Sequence, residues 1–445
     1  MAEKAFSRTT IQSTGGTELQ LTWKSAAVII VAFGGIAAGV YTLGVQQGAR
    51  SGQEAGAGAE PVPAAAPAVP ERQASAGPIS PGAQMPPNHP PLDSIQQPPV
   101  QSDREGKAQA DPNANVTHFR VGERNVKNIF IDGKVVWVGT SSGLIRYDTG
   151  DDSFRLFDTR DGLRSAAVLR VTKLEGRIAA GTADGLALYD GGNKWEMVDI
   201  PGAGQKVYVD DILTASNGDV WIATHSGAYR AKAGDLKDRG KWESFTAHST
   251  KGGLPDDRVD GLAQGKDGAI WFATEDGVAR FKGGWQNWNH DRGLGAPADK
   301  VKNDRFVAAG GDVPAHHAAG GAKDKGLNIA YNPNYVTSIL VDRDGTVWCG
   351  TWGGGLARFD GKGWRNYTVA DGLPGNHVFT LRQDEAGRLW IGTNNGLARR
   401  EGKGFAVLTT ANGLFSNFVF SMAVAPDGSL WVGTFGGVAR LKGTL

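Results

Sequence analysis

The chain has 445 residues, with 47 Lys and Arg against 46 Asp and Glu. A formal net charge of +1 gives no reason to expect a nucleic acid or a strongly acidic partner. The single cysteine, Cys349, excludes an internal disulfide, haem attachment and a thiolate zinc site, so we expect a small buried side chain there. We expect no cofactor.

Residues 1–24 are predicted to be a polar cytoplasmic tail, and residues 25–46 a transmembrane helix. Residues 26–45 carry no charge, and about 20 apolar residues suffice to span a bilayer core. A signal anchor is favoured because the preceding polar stretch is long; a cleaved signal peptide and a buried helix are the alternatives. Lys4, Arg8 and Lys24 precede the helix, so the positive-inside rule predicts a single-pass protein of the bacterial inner membrane.

Gly35 and Gly39 form one GxxxG pattern within this helix. Small residues at that spacing let two helices approach closely, which would support a weak homodimer. The alternative is that glycine is common in membrane helices for other reasons.

Residues 47–115 are predicted to be a disordered linker rich in Pro, Ala and Gly. Residues 46–115 hold 13 of the 20 prolines, and such a composition cannot bury a core. The segment 85–92 could dock a partner in polyproline form. A spacer that lifts a domain off the membrane is the favoured interpretation.

Residues 116–445 repeat one phrase seven times: an apolar strand, mostly with Trp, that ends in Gly-Thr or Ala-Thr. The threonines are Thr140, Thr182, Thr224, Thr274, Thr351, Thr393 and Thr434, spaced 42, 42, 50, 77, 42 and 41 residues apart. A period of about 40–45 residues with several short strands per unit is typical of propeller blades. We therefore predict an all-β, seven-bladed β-propeller with four-stranded antiparallel blades.

The first and last repeats complement each other. The last unit ends after its third strand, whereas residues 116–121 have the form of a fourth strand and precede the first repeat. We expect this amino-terminal strand to close the ring as the outer strand of the last blade. Each unit also carries a turn glycine between its first two strands, which predicts a hairpin with positive φ.

The unit resembles the two-component regulator propeller repeat, whose pattern is roughly D-G-L-x-x-N-x-V, G-x-L-W-x-G-T and G-L-x-R-Y/F. Residues 371–378, 387–393 and 395–399 carry all three parts. The resemblance implies an extracytoplasmic sensing propeller, often fused to a histidine kinase, but here no kinase or DNA-binding segment is recognisable. It transfers no catalytic residues, since its motif residues serve packing.

The face bearing the second-to-third and fourth-to-first strand connections, here called the top face, is the expected binding surface. The 77-residue spacing places an insertion near 295–333 on this face, which is expected to be either a lid or docking arm or a tolerated surface loop. The candidate binding residues are His225, Glu275, Asp276, Trp352, Asn376, Asn394, Asn395 and Phe435 in the connections, and His316, His317, Tyr331 and Tyr335 in the insertion. Burial between blades is an equal alternative for Trp352.

A metal site is a weaker hypothesis, with His225, His290 and Glu275 as candidate ligands. Their spacing shows no ligand pattern, so solvated histidines are favoured. We expect a non-catalytic binding module, a scaffold or sensor for a protein partner or small ligand. The alternatives are a docking subunit of a membrane complex and a metal-assisted lyase of the streptogramin-lyase type, which would need His and Glu side chains to converge at the channel mouth.

Overall fold

The computed structural model describes residues 104–107, 116–202, 206–302 and 331–442, together with strands β1 (Ile11–Gln12) and β2 (Glu18–Leu19). The chain divides into two units, residues 1–81 and 82–445. In the first unit, β1 and β2 pair antiparallel. No helix within the described residues is long and apolar enough to cross a membrane, and the helix predicted at 25–46 lies outside them.

The second unit consists of antiparallel sheets, with four strands from each of the first six repeats and two from the last. Strand β3 (Glu105–Lys107) precedes them. The first three repeats give β4 (Val116–Asp132), β5 (Val135–Thr140), β6 (Gly143–Asp148) and β7 (Ser153–Phe157); β8 (Val168–Leu174), β9 (Arg177–Thr182), β10 (Gly185–Tyr189) and β11 (Trp195–Val198); and β12 (Val209–Thr214), β13 (Asp219–Thr224), β14 (Gly227–Lys232) and β15 (Glu243–Phe245).

The remaining repeats follow the same order. They are β16 (Val259–Gln264), β17 (Ile270–Thr274), β18 (Gly277–Phe281) and β19 (Trp285–Trp288); β20 (Asn332–Val341), β21 (Val347–Trp352), β22 (Leu356–Phe359) and β23 (Trp364–Tyr367); β24 (Val378–Gln383), β25 (Leu389–Thr393), β26 (Gly396–Glu401) and β27 (Gly404–Leu408); and β28 (Val419–Val424) with β29 (Leu430–Leu441). We number these repeats blades 1 to 7.

Helical structure is confined to short turns in the described part of the chain. One α-helix, α1 (Ala298–Val301), lies at the start of the insertion. Six 3-10 turns lie at Thr159–Asp161, Ala233–Asp235, Arg239–Lys241, His290–Arg292, Val369–Asp371 and Thr410–Asn412.

The blades form a closed ring. The first strands β4, β8, β12, β16, β20, β24 and β28 contact one another in succession, and β28 contacts β4. Each of seven described core clusters draws its side chains from two neighbouring blades, so the apolar core lies between the blades. The predicted closure is confirmed: the first part of β4 pairs with the second half of β29, from Gly437 with Arg120 to Leu441 with Val116.

The repeated motif residues hold each blade together. All seven motif threonines are fully buried, and each donates a hydrogen bond to the carbonyl of the glycine that opens the third strand, over 2.7–3.1 Å. The predicted hairpin glycines have φ between 63° and 84°: Gly133, Gly176, Gly218, Gly268, Gly345, Gly387 and Gly428. Cys349 is buried as expected.

The end of the predicted linker contains a strand. Strand β3 falls inside the predicted linker, but it pairs with β7 and extends blade 1 by a fifth strand. The exposed edge of β7 explains this, because an unpaired strand edge offers free backbone donors and acceptors. The strand that follows the insertion predicted near 295–333, β20, begins at Asn332.

Candidate functional site at the channel mouth

Each of the seven first strands carries a register shift at the same point, just after a fully buried valine. A β-bulge of this kind leaves one residue out of the ladder and redirects its side chain. The residues at this position line the central channel, and we call them the bulge ring: Lys127, Leu169, Asp210, Asp260, Thr337, Phe379 and Phe420. Because each first strand starts at the top face, the bulge ring surrounds the top mouth of the channel.

The channel encloses a cavity of about 340 Å³. This volume lies within the range of about 300–1,000 Å³ that is usual for small-ligand pockets. Below the bulge ring, Nε of Arg170 lies 2.8 Å from Oδ1 of Asp211, and Nε of Arg382 donates to the carbonyl of Met422 over 3.0 Å. Burial, together with the charge of Arg170, lowers the pKa of Arg382 to about 10.

One half of the mouth is aromatic. The ring centroids of Phe379 and Phe420 lie 5.2 Å apart, and Trp352 lies 6.1 Å from Phe379. Phe418, which is 38% exposed, stacks on Phe420 at 6.2 Å. The Lys127 ammonium lies 5.8 Å from the Phe420 ring, which places a cation at the border of this aromatic half.

The other half is charged. His225, from the second-to-third connection of blade 3, stacks on Tyr208 at 4.5 Å, and its Nε2 lies 3.1 Å from Oδ2 of Asp210. On the neighbouring strand, Oδ1 of Asp260 accepts a hydrogen bond from the Tyr335 hydroxyl over 3.1 Å. One ligand atom each from Asp210, His225 and Asp260 lies within 4.8 Å of the others.

Arg258 joins the charged half to the aromatic half. Its Nη2 lies 3.3 Å from Oδ1 of Asp260 and donates to the Tyr335 hydroxyl over 2.8 Å, and its Nη1 lies 3.7 Å from Oε2 of Glu275. Tyr335 in turn stacks on Trp352 at 5.9 Å. The two halves of the mouth are therefore joined by one network of side-chain contacts.

Burial changes the acidity of these groups. It raises the pKa of Asp260 to about 7, although the Arg258 charge opposes the shift. Burial likewise raises the pKa values of Glu275 and Tyr335. It lowers the pKa of Lys127, and the Asp210 charge opposes that change. Such shifts are common in functional pockets, although structural ion pairs also produce them.

Four of the candidates predicted from sequence meet at this mouth: His225, Glu275, Trp352 and Tyr335. Of the two alternatives for Trp352, the structure shows burial, since only 5% of the residue is exposed. Its indole contacts Tyr335, Phe379 and His377, the last edge-on at 4.8 Å. Trp352 therefore supports the aromatic half from behind.

Three asparagines and Asp276 hold the connections in place. The side-chain oxygen of buried Asn376 accepts from the Val369 amide over 2.9 Å, and that of Asn394 accepts from the His377 amide over 3.3 Å. Exposed Asn395 donates to the Pro374 carbonyl over 3.0 Å. Asp276 accepts from the Asn334 side chain over 2.8 Å.

The other candidates lie in further connections of the top face or outside the described residues. Phe435, in the second-to-third connection of blade 7, is 46% exposed. The Tyr331 hydroxyl donates to the Ala296 carbonyl over 2.8 Å, and burial raises its pKa to about 12. Nδ1 of His290 lies 2.9 Å from the Leu294 carbonyl, so His290 does not join His225 and Glu275. His316 and His317 lie outside the described residues.

Sequence reasoning missed most of the site because it searched the connections rather than the first strands. Asp210, Asp260, Phe379 and Phe420 all follow the buried valine of their strand by one residue. Aligning the seven first strands on that valine would have shown a ring of unlike residues at one structural position.

Solved structures show the same fold. The extracellular domain of the putative hybrid two-component system BT3049 from B. thetaiotaomicron matches over 72% of this chain with 19% identity and a TM-score of 0.56. This chain covers only 39% of that domain. A catalytically inactive virginiamycin B lyase from Staphylococcus aureus, solved with quinupristin, matches over 74% of this chain and 99% of its own length, with 12% identity and a TM-score of 0.51. No curated protein matches the sequence.

The sequence itself matches one family model, that of the two component regulator propeller, at residues 253–276, 330–353, 372–395 and 413–436. Each matched segment begins before the first strand and ends just after the motif threonine of the second strand, in blades 4 to 7. The chain therefore carries repeats of the two component regulator propeller family.

Proposed function

We propose that this protein is a non-catalytic sensor module that binds a small ligand at the top mouth of its channel. The observation that carries the proposal is the bulge ring, where seven blades direct one side chain each into a single cavity. A closed ring of packed blades makes this surface preformed, so little ordering cost opposes binding. The propeller family repeats support a sensing role.

The two halves of the mouth suggest the kind of ligand. A flat apolar or aromatic group fits against Phe379 and Phe420, because aromatic rings favour offset-stacked and edge-to-face contacts. A polar group on the same molecule would then face Asp210 and Asp260 across a cavity of about 340 Å³. We therefore propose a small amphiphilic ligand with one aromatic and one polar end.

We further propose that the propeller lies in the periplasm, tethered to the inner membrane by residues 25–46 and the segment that follows. The uncharged run at 26–45 supports the tether. The match to the extracellular domain of a two-component system is in keeping with this location but rests on the fold alone.

A docking subunit is the second candidate. Of the large apolar side chains that are exposed in the described structure, Phe418 and Phe435 both lie on the top face of blade 7. Aromatic side chains are common anchors of protein interfaces. A partner protein could use them beside the channel mouth.

The lyase alternative has less support than the binding proposal. The hypothesis required His225 and Glu275 to converge at the mouth, and both side chains lie there. Within the described residues, however, His225 meets two carboxylates, and Glu275 lies beside Arg258. The lyase neighbour, at 12% identity, indicates the fold only.

The test is a ligand screen on the full-length protein in mild detergent. We would measure thermal stabilisation by a library of aromatic amines, acids and amides, and determine affinities for the hits by calorimetry. Phe379→Leu and Phe420→Leu should each weaken binding by about tenfold, which corresponds to about 1.4 kcal/mol. Phe154→Leu, a half-buried phenylalanine on the outer strand β7, is the matched control and should leave the affinity unchanged.

Compounds that bind wild type, the two mouth variants and the control variant with equal affinity would contradict the proposed site. If no compound binds, affinity purification of the protein from membranes tests the second candidate, the docking subunit. If a stoichiometric partner protein copurifies with wild type but not with Phe435→Ser, the protein is a docking subunit and the proposal of ligand sensing is wrong.

A further inference from the structure

The charged half of the mouth contains three metal-ligating side chains that converge from two blades. Asp210 and Asp260 are bulge-ring residues on β12 and β16, and His225 follows β13. One potential ligand atom from each residue lies within 4.8 Å of the other two. Ligands of a divalent transition metal lie about 2.0–2.2 Å from the ion, so neighbouring ligands are about 3–3.5 Å apart. The distance of 3.1 Å between Nε2 of His225 and Oδ2 of Asp210 lies within this range.

The atoms that face one another lack hydrogen bonds. Oδ2 of Asp210, Nε2 of His225 and Oδ2 of Asp260 are all buried, and none has a hydrogen-bond partner among the described residues. The close approach of His225 to Asp210 is thus an ion-pair distance without the alignment of a hydrogen bond. A buried unpaired polar atom costs about 1–3 kcal/mol, and more when charged, so three such atoms at one point require an explanation.

The remaining atoms of these side chains are held by neighbours, as metal ligands usually are. Oδ1 of Asp260 accepts from the Tyr335 hydroxyl over 3.1 Å and lies 3.3 Å from Arg258, which leaves Oδ2 for the shared centre. The His225 ring is fixed by parallel stacking on Tyr208, with 4° between the two planes. The side chains are therefore oriented before any ion arrives.

The charges around the cluster suit a dication. Metal binding requires deprotonated carboxylates and a neutral imidazole, so these three ligands would contribute a charge of −2 to a bound divalent ion. Arg258 is shared between Asp260 and Glu275, so its charge is already compensated.

We propose that Asp210, His225 and Asp260 bind one divalent transition-metal ion at the channel mouth. One imidazole with two carboxylates suits Zn²⁺, Mn²⁺ or Co²⁺ better than Ca²⁺, which prefers six to eight oxygen ligands. Three protein ligands leave at least one coordination position open toward the cavity. The inference rests on the proposed function in placing the ion where a ligand's polar end would bind, and it extends the sequence analysis, which expected no cofactor.

The experiment is a Co²⁺ titration of full-length protein whose affinity tag has been removed and whose metal has been stripped with a chelator. Visible absorption of the bound ion reports coordination by nitrogen and oxygen, and Zn²⁺ competition reports the site's preference. We expect one equivalent to bind, with at least about tenfold weaker binding in His225→Gln and in Asp260→Asn. His248→Gln, an exposed histidine, should bind as wild type does.

A further variant separates this inference from the ligand proposal. Phe379→Leu should leave Co²⁺ affinity unchanged while it weakens the organic ligand. No saturable Co²⁺ binding to folded wild type, or binding that His225→Gln and Asp260→Asn both retain in full, would overturn the metal site without touching the aromatic half. Because His225 lies in a connection and is 31% exposed at its side chain, His225→Gln serves if Asp260→Asn fails to fold.

Discussion

At the scale of single residues, the same polar contact recurs in every blade: the hydroxyl of the motif threonine donates to the carbonyl of the glycine that opens the third strand. In blade 3, the Thr224 hydroxyl donates to the Gly227 carbonyl over 2.7 Å and accepts from the Ser226 amide over 2.9 Å. In Thr224→Val the Gly227 carbonyl and the Ser226 amide both lose this partner, although valine has the same shape as threonine. We expect the free energy of unfolding to fall by about 1–3 kcal/mol, seen as a lower melting temperature.

The control is Thr149→Val. The Thr149 hydroxyl also donates to a backbone carbonyl, that of Lys134, over 2.9 Å, but on the exposed surface. Water can replace this bond, so its loss should leave the melting temperature nearly unchanged. Equal effects of the two substitutions would show that burial does not decide the value of the motif threonine.

Asp158 gives a residue-scale prediction about pH. It precedes the 3-10 turn Thr159–Asp161 and accepts from the Arg160 amide and side chain, and this bonding lowers its pKa to about 2 despite partial burial. The unfolded chain then binds more protons than the native state between about pH 4 and 2, so stability falls as the pH falls through that window.

Asp158→Asn should therefore lose less melting temperature than wild type between about pH 5 and pH 2.5. Asp291→Asn, at an exposed carboxylate in another 3-10 turn, is the control. Parallel pH curves for wild type and Asp158→Asn, with a constant offset, would contradict the assignment. The measurement is thermal unfolding by circular dichroism.

At the scale of elements, the strands could be predicted from the repeat but the site could not. The Gly-Thr endings and turn glycines show where each second strand lies in the sequence, because these residues make contacts within one blade. The bulge ring depends on contacts between blades: Asp210 and Asp260 are 50 residues apart in sequence and meet only because β12 and β16 are neighbours in the closed ring. A bulge also breaks the two-residue alternation by which strand faces are read.

The insertion provides an element-scale prediction. Its described ends are fixed: the Ala296 amide donates to the Gly354 carbonyl over 2.8 Å, Val301 packs against Ala296, and the Tyr331 hydroxyl bonds back to Ala296. Replacing residues 303–330 by a short Gly-Ser linker should therefore leave the melting temperature within a few degrees of wild type. Removing all of 295–333 should lower it strongly, since that deletion cuts into β20.

Ligand and Co²⁺ binding by the 303–330 replacement then show what the insertion does. Loss of binding with an unchanged melting temperature would identify a lid or docking arm. Unchanged binding would identify a tolerated surface loop. A collapse of the melting temperature in the 303–330 replacement would show that the segment is not separable from the propeller.

At the scale of the whole molecule, stability depends on one seam between blades 7 and 1. There, β4 supplies the outer strand of blade 7 before it becomes the first strand of blade 1. Phe119, in the first part of β4, is 7% exposed and stacks on Tyr147 of blade 1 at 4.9 Å and near Trp431 of blade 7 at 6.3 Å. The other blade contacts lie within one continuous run of chain, whereas this seam joins its two ends.

A series of amino-terminal truncations tests the seam. A chain that begins at residue 108 loses β3 and Arg104 with its ion pair to Asp161, and should melt within a few degrees of one that begins at residue 100, because only a short edge segment is removed. A chain that begins at residue 122 also loses Phe119 and the partner of Gly437–Leu441, so we expect a drop of more than about 3–5 kcal/mol and aggregation through the open edge of β29. Thermal unfolding and light scattering measure both effects. If the chain that begins at residue 122 remained monomeric and as stable as the chain that begins at residue 108, ring closure by β4 would not be what holds the propeller shut.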